Sequence, residues 1–258
     1  MRRGLVVNLL RRRDRWRWFV ETNRLWLALD RVHGFDGRRP LLDPDPQSRA
    51  LYDRLVERGW YDGVIQGWWR LGEIGALLSH ARAWKTIAAA SDPFAFVFED
   101  DATVTRAGVR RVAGLMTRQP VDVVFVGWAP FYDETVEVPG VPYARALAPG
   151  VKYASYHNPG AFAYALSDRA AAALFGHLDR RTAVPADHFI MSAAERCGLR
   201  VWFINPPGAT AVINAPDSDI RSAQTSTQRT LVSPTNHVYP SRAAAHGRRH
   251  GRAARGRR

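Results

Sequence analysis

The five residues Phe94-Ala95-Phe96-Val97-Phe98 carry no polar side chain and stop abruptly in Glu99-Asp100-Asp101. Successive side chains of a β-strand face opposite sides, so an unbroken apolar run needs cover on both faces. That requirement excludes a one-sided sheet and predicts a strand in the middle of a layered α/β structure. The three adjacent carboxylates repel one another. A divalent cation held by oxygen ligands relieves that repulsion, and the rim of an α/β sheet is a natural place for one. With the strand continued through the acids, Glu99 and Asp101 share a face while Asp100 points away. An acidic loop with no bound ion is the bland alternative.

A chain of 258 residues buries a full core, and one α/β domain is the ordinary expectation. The formal charge of +13 resembles a nucleic-acid signature until it is located. Seven arginines lie between Arg242 and Arg258, no acid follows Asp219, and the segment has little to bury. We read 1–240 as the domain and 241–258 as a disordered basic tail. Without the tail the body is moderately basic, which suits an anionic ligand. Lys85 and Lys152 are the only lysines and Cys197 is the only cysteine, so no intrachain disulfide forms. No apolar run approaches the roughly 18 residues of a membrane helix. A cytoplasmic protein, in peripheral contact with a membrane at most, is the expectation.

Leu5 to Leu9 reads as a buried first strand and Arg11 to Leu29 as the helix after it, with Trp16, Phe19, Val20 and Leu25 at helical spacing. Arg31 to Gly37 reads as a short strand closing in a turn, and Arg49 to Gly59 as a helix ended by its glycine. Gly72 to Ala90 has the strongest helical stripe, through Ile74, Leu77, Leu78, Ala81, Trp84 and Ile87. A helix over Ala107 to Arg118 and an apolar strand over Val121 to Val126 follow. Phe131 to Val151, with three prolines and two glycines, reads as a long mobile loop. Strand character resumes at Gly160 to Leu166, then a helix capped by Ser167, a helix over Ala186 to Arg196 and a strand over Leu199 to Ile204. This alternation predicts a mostly parallel central sheet flanked by helices.

Several fragments resemble glycosyltransferase family 25, which includes bacterial lipooligosaccharide galactosyltransferases and the collagen galactosyltransferase domains. They are Val6-Val7-Asn8-Leu9 with Arg13-Asp14-Arg15, then Phe35-Asp36-Gly37, then Gly72-Glu73-Ile74-Gly75-Ala76-Leu77-Leu78-Ser79-His80 with Trp84. After these come Phe98-Glu99-Asp100-Asp101-Ala102, Ala163 to Ser167, Pro185-Ala186-Asp187 and Ser218-Asp219-Ile220. The helix ending in Ser-His, directly ahead of Glu-Asp-Asp, is the specific part. Ala76 stands where many members carry cysteine, and Phe131 to Val151 matches no part of the family pattern.

The resemblance implies a GT-A-like fold, a UDP-sugar donor, and Mn2+ or Mg2+. It also implies transfer of a hexose, galactose or glucose, to a glycan or glycoconjugate hydroxyl, the chemistry of lipopolysaccharide biosynthesis. On this reading Asp101 is the first metal ligand, and Glu99 binds the ion through water or touches the sugar or ribose, with Asp100 able to do either. Asn8 offers backbone groups to the base, and Arg15, at a helix start, reaches the diphosphate or the uracil edge. Asp36 accepts from ribose or uracil, or simply makes an Asp-Gly turn. Ser79 and His80 bond phosphate or donor sugar, against the reading of a satisfied structural histidine. Asp187 is the candidate general base, with an N-cap as its ordinary alternative. His157, Asn158 and the pair Trp68-Trp69 are weaker sugar contacts. A metal-dependent phosphoryl or nucleotidyl enzyme and a basic nucleic-acid-binding protein are the rival classes.

Overall fold

Both faces of the apolar run are covered, and by different helices. The computed structural model describes residues 2–57, 69–126, 135–148, 160–178, 185–205 and 211–213, all within one compact unit, Met1–Ile220. The chain runs through β1 (Arg3–Leu9), α1 (Arg13–Asn23), β2 (Ala28–Gly34), a 3-10 turn (Pro40–Leu42), α2 (Pro46–Glu57), α3 (Trp69–Ala88) and β3 (Phe94–Glu99). It continues through β4 (Ala102–Val104), α4 (Arg106–Arg118), β5 (Val123–Phe125), β6 (Thr135–Val138), β7 (Val141–Leu147) and β8 (Ala163–Ser167). The last described elements are α5 (Asp168–His177), α6 (Ala186–Cys197), β9 (Val201–Ile204) and β10 (Ala211–Ile213).

Phe94, Phe96 and Phe98 point into one core with Phe19 of α1 and Val109, Val112 and Leu115 of α4. Ala95 and Val97 point into the other, against Leu77, Trp84 and Ile87 of α3, Leu174 of α5 and Phe189 of α6. Large side chains thus face the thinner cover and small ones face the three-helix layer. Each of the three phenylalanines is at most 1% exposed, which stabilises the fold by about 2–3 kcal/mol per side chain. A smaller cluster, Phe35, Tyr52, Leu55, Ile74 and Leu78, seats α2 on α3.

The sheet has eight strands in the order β2-β1-β3-β8-β5-β9-β7-β6. It is mixed, which corrects the expectation of a mostly parallel one. Three pairings are parallel, β1 with β2, β1 with β3 and β5 with β9. Four are antiparallel, because β8 enters reversed between β3 and β5, and a β6–β7 hairpin packs beside β9. Hydrophobic runs report burial and not direction, so the reversed strand carries no mark of its own.

Three further differences have local causes. The first helix ends at Asn23, because Arg24 takes a left-handed conformation (φ 42°) and its N–H closes on the Val20 carbonyl. Leu29 therefore lies in β2. The proline- and glycine-rich stretch expected as a loop contains the β6–β7 hairpin, whose turn uses Gly140 at φ 73°. Ala102–Val104 pairs with Ala211–Ile213 as a second, two-stranded antiparallel sheet. The helix read over Arg49 to Gly59 begins earlier, at Pro46, and Gly59 lies outside the described residues. Ser167 caps α5 as read, its Oγ accepting from Ala170 N at 3.0 Å. Among the described residues no helix is long and apolar enough to cross a membrane.

Candidate functional site

The chain leaves β1 for β2 on one side and later enters β3 on the other, so the sheet order reverses at β1. In open α/β sheets ligands bind outside the carboxyl ends of strands at such a point. A cleft of about 680 Å3, part of it open to solvent, lies there. Asn8 and Leu9, the segment Gly34 to Arg38, the three acids after Phe98, Arg11 and Arg15 all line it, and one face of α3 closes it.

The Gly-Glu-Ile-Gly…Ser-His pattern has a packing reason. The turn after β2 lies directly on α3, and a Cβ on Gly75 would sit 2.7 Å from Gly37 N and 2.8 Å from Phe35 O. A Cβ on Gly37 would fall 1.8 Å from the Leu71 carbonyl oxygen, so glycine is required on both surfaces. One helical turn on, Ser79 Oγ accepts from Phe35 N at 2.8 Å and donates to the Gly75 carbonyl at 2.6 Å. Tyr52 donates to the Gly37 carbonyl at 2.7 Å. Ser79 is therefore a latch whose one proton is spent inside the protein, and the turn it holds carries Asp36.

Asp36 is paired inside the protein: Arg11 Nε donates to its Oδ2 at 3.0 Å and Arg38 N to its Oδ1 at 3.1 Å. Arg11 is its cationic neighbour on the cleft wall.

Strand β3 ends at Glu99, so the two-residue alternation does not extend through the acids. Asp100 does not point away from Asp101. Both bond Arg15, whose guanidinium lies 2.7 Å from Asp100 Oδ1 and 2.6 Å from Asp101 Oδ2. Burial opposes the Arg15 charge, yet Asp101 and Asp100 hold its pKa above the ordinary value. Asn8 Nδ2 donates to Asp100 Oδ2 and, at 2.8 Å, to the Arg12 carbonyl, tying the start of α1 to the acids.

Arg15 satisfies only one oxygen of Asp101. Burial pushes the Asp101 pKa up to about 7, with Glu99 and then Asp100 adding to the effect against Arg15. Its Oδ1 is buried and has no hydrogen-bond partner. Hard oxygen donors and an orphaned carboxylate oxygen fit a small divalent cation. Among the described residues no three of His, Cys, Asp and Glu are grouped to hold an ion by themselves. Asp101, with Glu99 near it, is the residue that could contribute to holding such an ion.

His80 is 1% exposed, with Nδ1 2.9 Å from the Tyr164 hydroxyl and Nε2 3.2 Å from Glu99 Oε1. Both ring nitrogens are engaged within the protein. Tyr164 escaped the sequence reading because it sits in an apolar strand, although a buried tyrosine signals that its hydroxyl has a partner.

Asp187 stands apart. It does not line the cleft, is 4% exposed, and accepts from Gly160 N at 3.2 Å and from His188 N at 2.8 Å. Burial pushes its pKa up. The N-cap of α6 is Pro185, so Asp187 does not fill that ordinary role, and the charge of Glu99 reaches its carboxyl. Of the nine candidate residues the cleft thus gathers eight, Asn8, Arg15, Asp36, Ser79, His80, Glu99, Asp100 and Asp101. His157, Asn158, Trp68, Ser218 to Ile220 and the tail lie outside the described residues.

No protein-family model matches the chain, and no curated protein matches it in sequence.

Proposed function

We propose that the chain is a glycosyltransferase of GT-A-like fold that moves a hexose, galactose or glucose, from a UDP-sugar to a hydroxyl of a glycan or glycoconjugate with inversion. The observation that carries this reading is the convergence of eight motif residues, from β1 and the segments following it, β2, α3 and β3, on one cleft at the sheet's reversal point. Clefts in this position take nucleotides.

Arg15 and Arg11 supply positive charge on the wall where a diphosphate would lie, and the start of α1 adds its amide dipoles. The ion fitted by Asp101, with Glu99 beside it, would neutralise the charge that builds on the leaving diphosphate. Asp36, bonded to Arg11, would exchange that partner for a ribose hydroxyl. Arg15 currently balances Asp100 and Asp101; with cation and diphosphate present, the same guanidinium has a phosphate to turn to. A cytoplasmic location with peripheral contact to an anionic membrane surface belongs to this proposal, since lipid-linked glycans are acceptors of this kind.

The test is a thermal-shift screen of UDP-, GDP- and CMP-sugars with and without Mn2+, since a ligand of the folded state raises its apparent stability. A UDP-sugar with Mn2+ is expected to raise the midpoint, and slow hydrolysis of that sugar is expected without acceptor. No shift with any nucleotide sugar overturns the proposal, and turnover of generic phosphate esters that ignores UDP places the chain among phosphoesterases.

A further inference from the structure

Four side chains, Trp84, Tyr164, His80 and Glu99, form an unbroken hydrogen-bonded line from the apolar core to the cleft. Trp84 Nε1 donates to the Tyr164 hydroxyl at 2.8 Å, Tyr164 meets His80 Nδ1 at 2.9 Å, and His80 Nε2 meets Glu99 Oε1 at 3.2 Å. Trp84, Tyr164 and His80 are each at most 1% exposed, whereas the Glu99 side chain is 28% exposed and lines the cleft.

The donor inventory fixes the direction of every bond in this line. An indole N–H only donates, so the tyrosine oxygen accepts from Trp84. Burial pushes the Tyr164 pKa up, so its hydroxyl keeps a proton that must be given away. Among the described residues its one other hydrogen-bond neighbour is His80 Nδ1. That nitrogen is then the acceptor, the ring proton sits on Nε2, and Nε2–H donates to the Glu99 carboxylate. The reverse tautomer would point two donors at the tyrosine oxygen and strand its proton in the apolar core. A doubly protonated ring meets the same obstacle.

We propose that His80 is a positioning residue, locked by Trp84 and Tyr164 as the Nε2–H tautomer, which aims Glu99 into the cleft and itself touches no ligand. One oxygen of Glu99 bonds His80, leaving the other for a hydroxyl of the transferred sugar, which UDP itself lacks. Tyr164 and Trp84 become parts of the site although both lie in its core. The effect on turnover rests on the sugar-transfer reading above; the tautomer does not.

The two levels are tested separately in the full chain. Long-range 1H–15N correlation spectra, with the His80 signals assigned by their loss in His80→Gln, are expected to show protonated Nε2 and bare Nδ1. Tyr164→Phe should erase that fixed pattern. A wild-type ring with its proton on Nδ1 overturns the proposal whatever the protein's activity. Turnover of a UDP-sugar with Mn2+ should fall about tenfold or more in Tyr164→Phe and His80→Ala, the size of effect known for residues that support a ligating group, while UDP affinity measured by calorimetry is unchanged. His80→Gln keeps an N–H at the Nε2 position and should recover most of the loss seen in His80→Ala. Equal impairment of the glutamine and alanine variants, or loss of UDP affinity in Tyr164→Phe, would mean that His80 acts on the ligand directly and defeats the positioning role. Absence of turnover in the wild type with every nucleotide sugar counts against the transferase reading alone, and the spectra still decide the tautomer.

Discussion

At the scale of the residue, Asp187 is one buried carboxyl whose raised pKa ties stability to pH, and Asp101 is another. The Asp101 pKa rises from an ordinary 3.8 to about 7 in the folded state, so the folded protein holds a proton that the unfolded chain releases. Between those values stability falls as pH rises, and the loss is complete above about 7. We expect the denaturation midpoint to drop from pH 5 to pH 8, and Asp101→Asn to reduce that drop while removing metal-dependent turnover. An unchanged pH slope in the variant would assign the effect to another group. Mn2+ added at pH 8 should restore part of the wild-type midpoint, since a ligand that takes the ionised carboxylate favours the folded state. The acids themselves stood out in the sequence because charge ends an apolar run there. Their partners did not. That Arg15 spans Asp100 and Asp101, and that Asn8 ties Asp100 to the Arg12 carbonyl, depends on the turn after β1 curling against the end of β3. Residues 92 positions apart leave no periodic trace of that meeting.

At the scale of the element, the contact between the β2 turn and α3 is set by absent side chains. Gly75→Ala would press a methyl group against the backbone of Gly37 and Phe35, and the turn must lift. We expect a cost of about 2 kcal/mol in chemical denaturation, from the overpacking of a tight contact, together with weaker UDP binding because Asp36 moves with the turn. Loss of stability with unchanged UDP affinity would remove Asp36 from the ligand site. The helix stripe through Ile74, Leu77, Leu78, Ala81 and Trp84 was readable because its period matches its burial. The end of α1 was not, since it depends on an arginine in a left-handed conformation, a state that arginine does not advertise. Prolines and glycines between Phe131 and Val151 equally suit a loop or a hairpin turn. The alternation of β6, buried at Thr135 and exposed at Val136 and Glu137, is too short to separate the two.

At the scale of the whole molecule, two-sided burial of β3 was legible from its five apolar residues, and it dictated helices on both faces. Strand order was not legible. Which neighbour a buried strand takes, and in which direction, is decided by crossovers and not by composition. The sheet's shape predicts a gradient of local stability. Amides of β1, β3 and β8, central and covered, should exchange hydrogen only through global unfolding, whereas those of the β6–β7 hairpin at the sheet's edge should exchange sooner. Peptide-resolved exchange checks this, and equal protection in both regions would contradict it. The bonds from Asn8 to Asp100 and to the Arg12 carbonyl join the ends of β1 and β3 to the start of α1, and the one from Phe35 N to Ser79 joins the turn after β2 to α3. A visiting nucleotide would meet walls already set, giving up its own freedom without recruiting the protein's. Its capture on this side of the cleft should then follow a single rapid phase, with no slower step of loop ordering behind it.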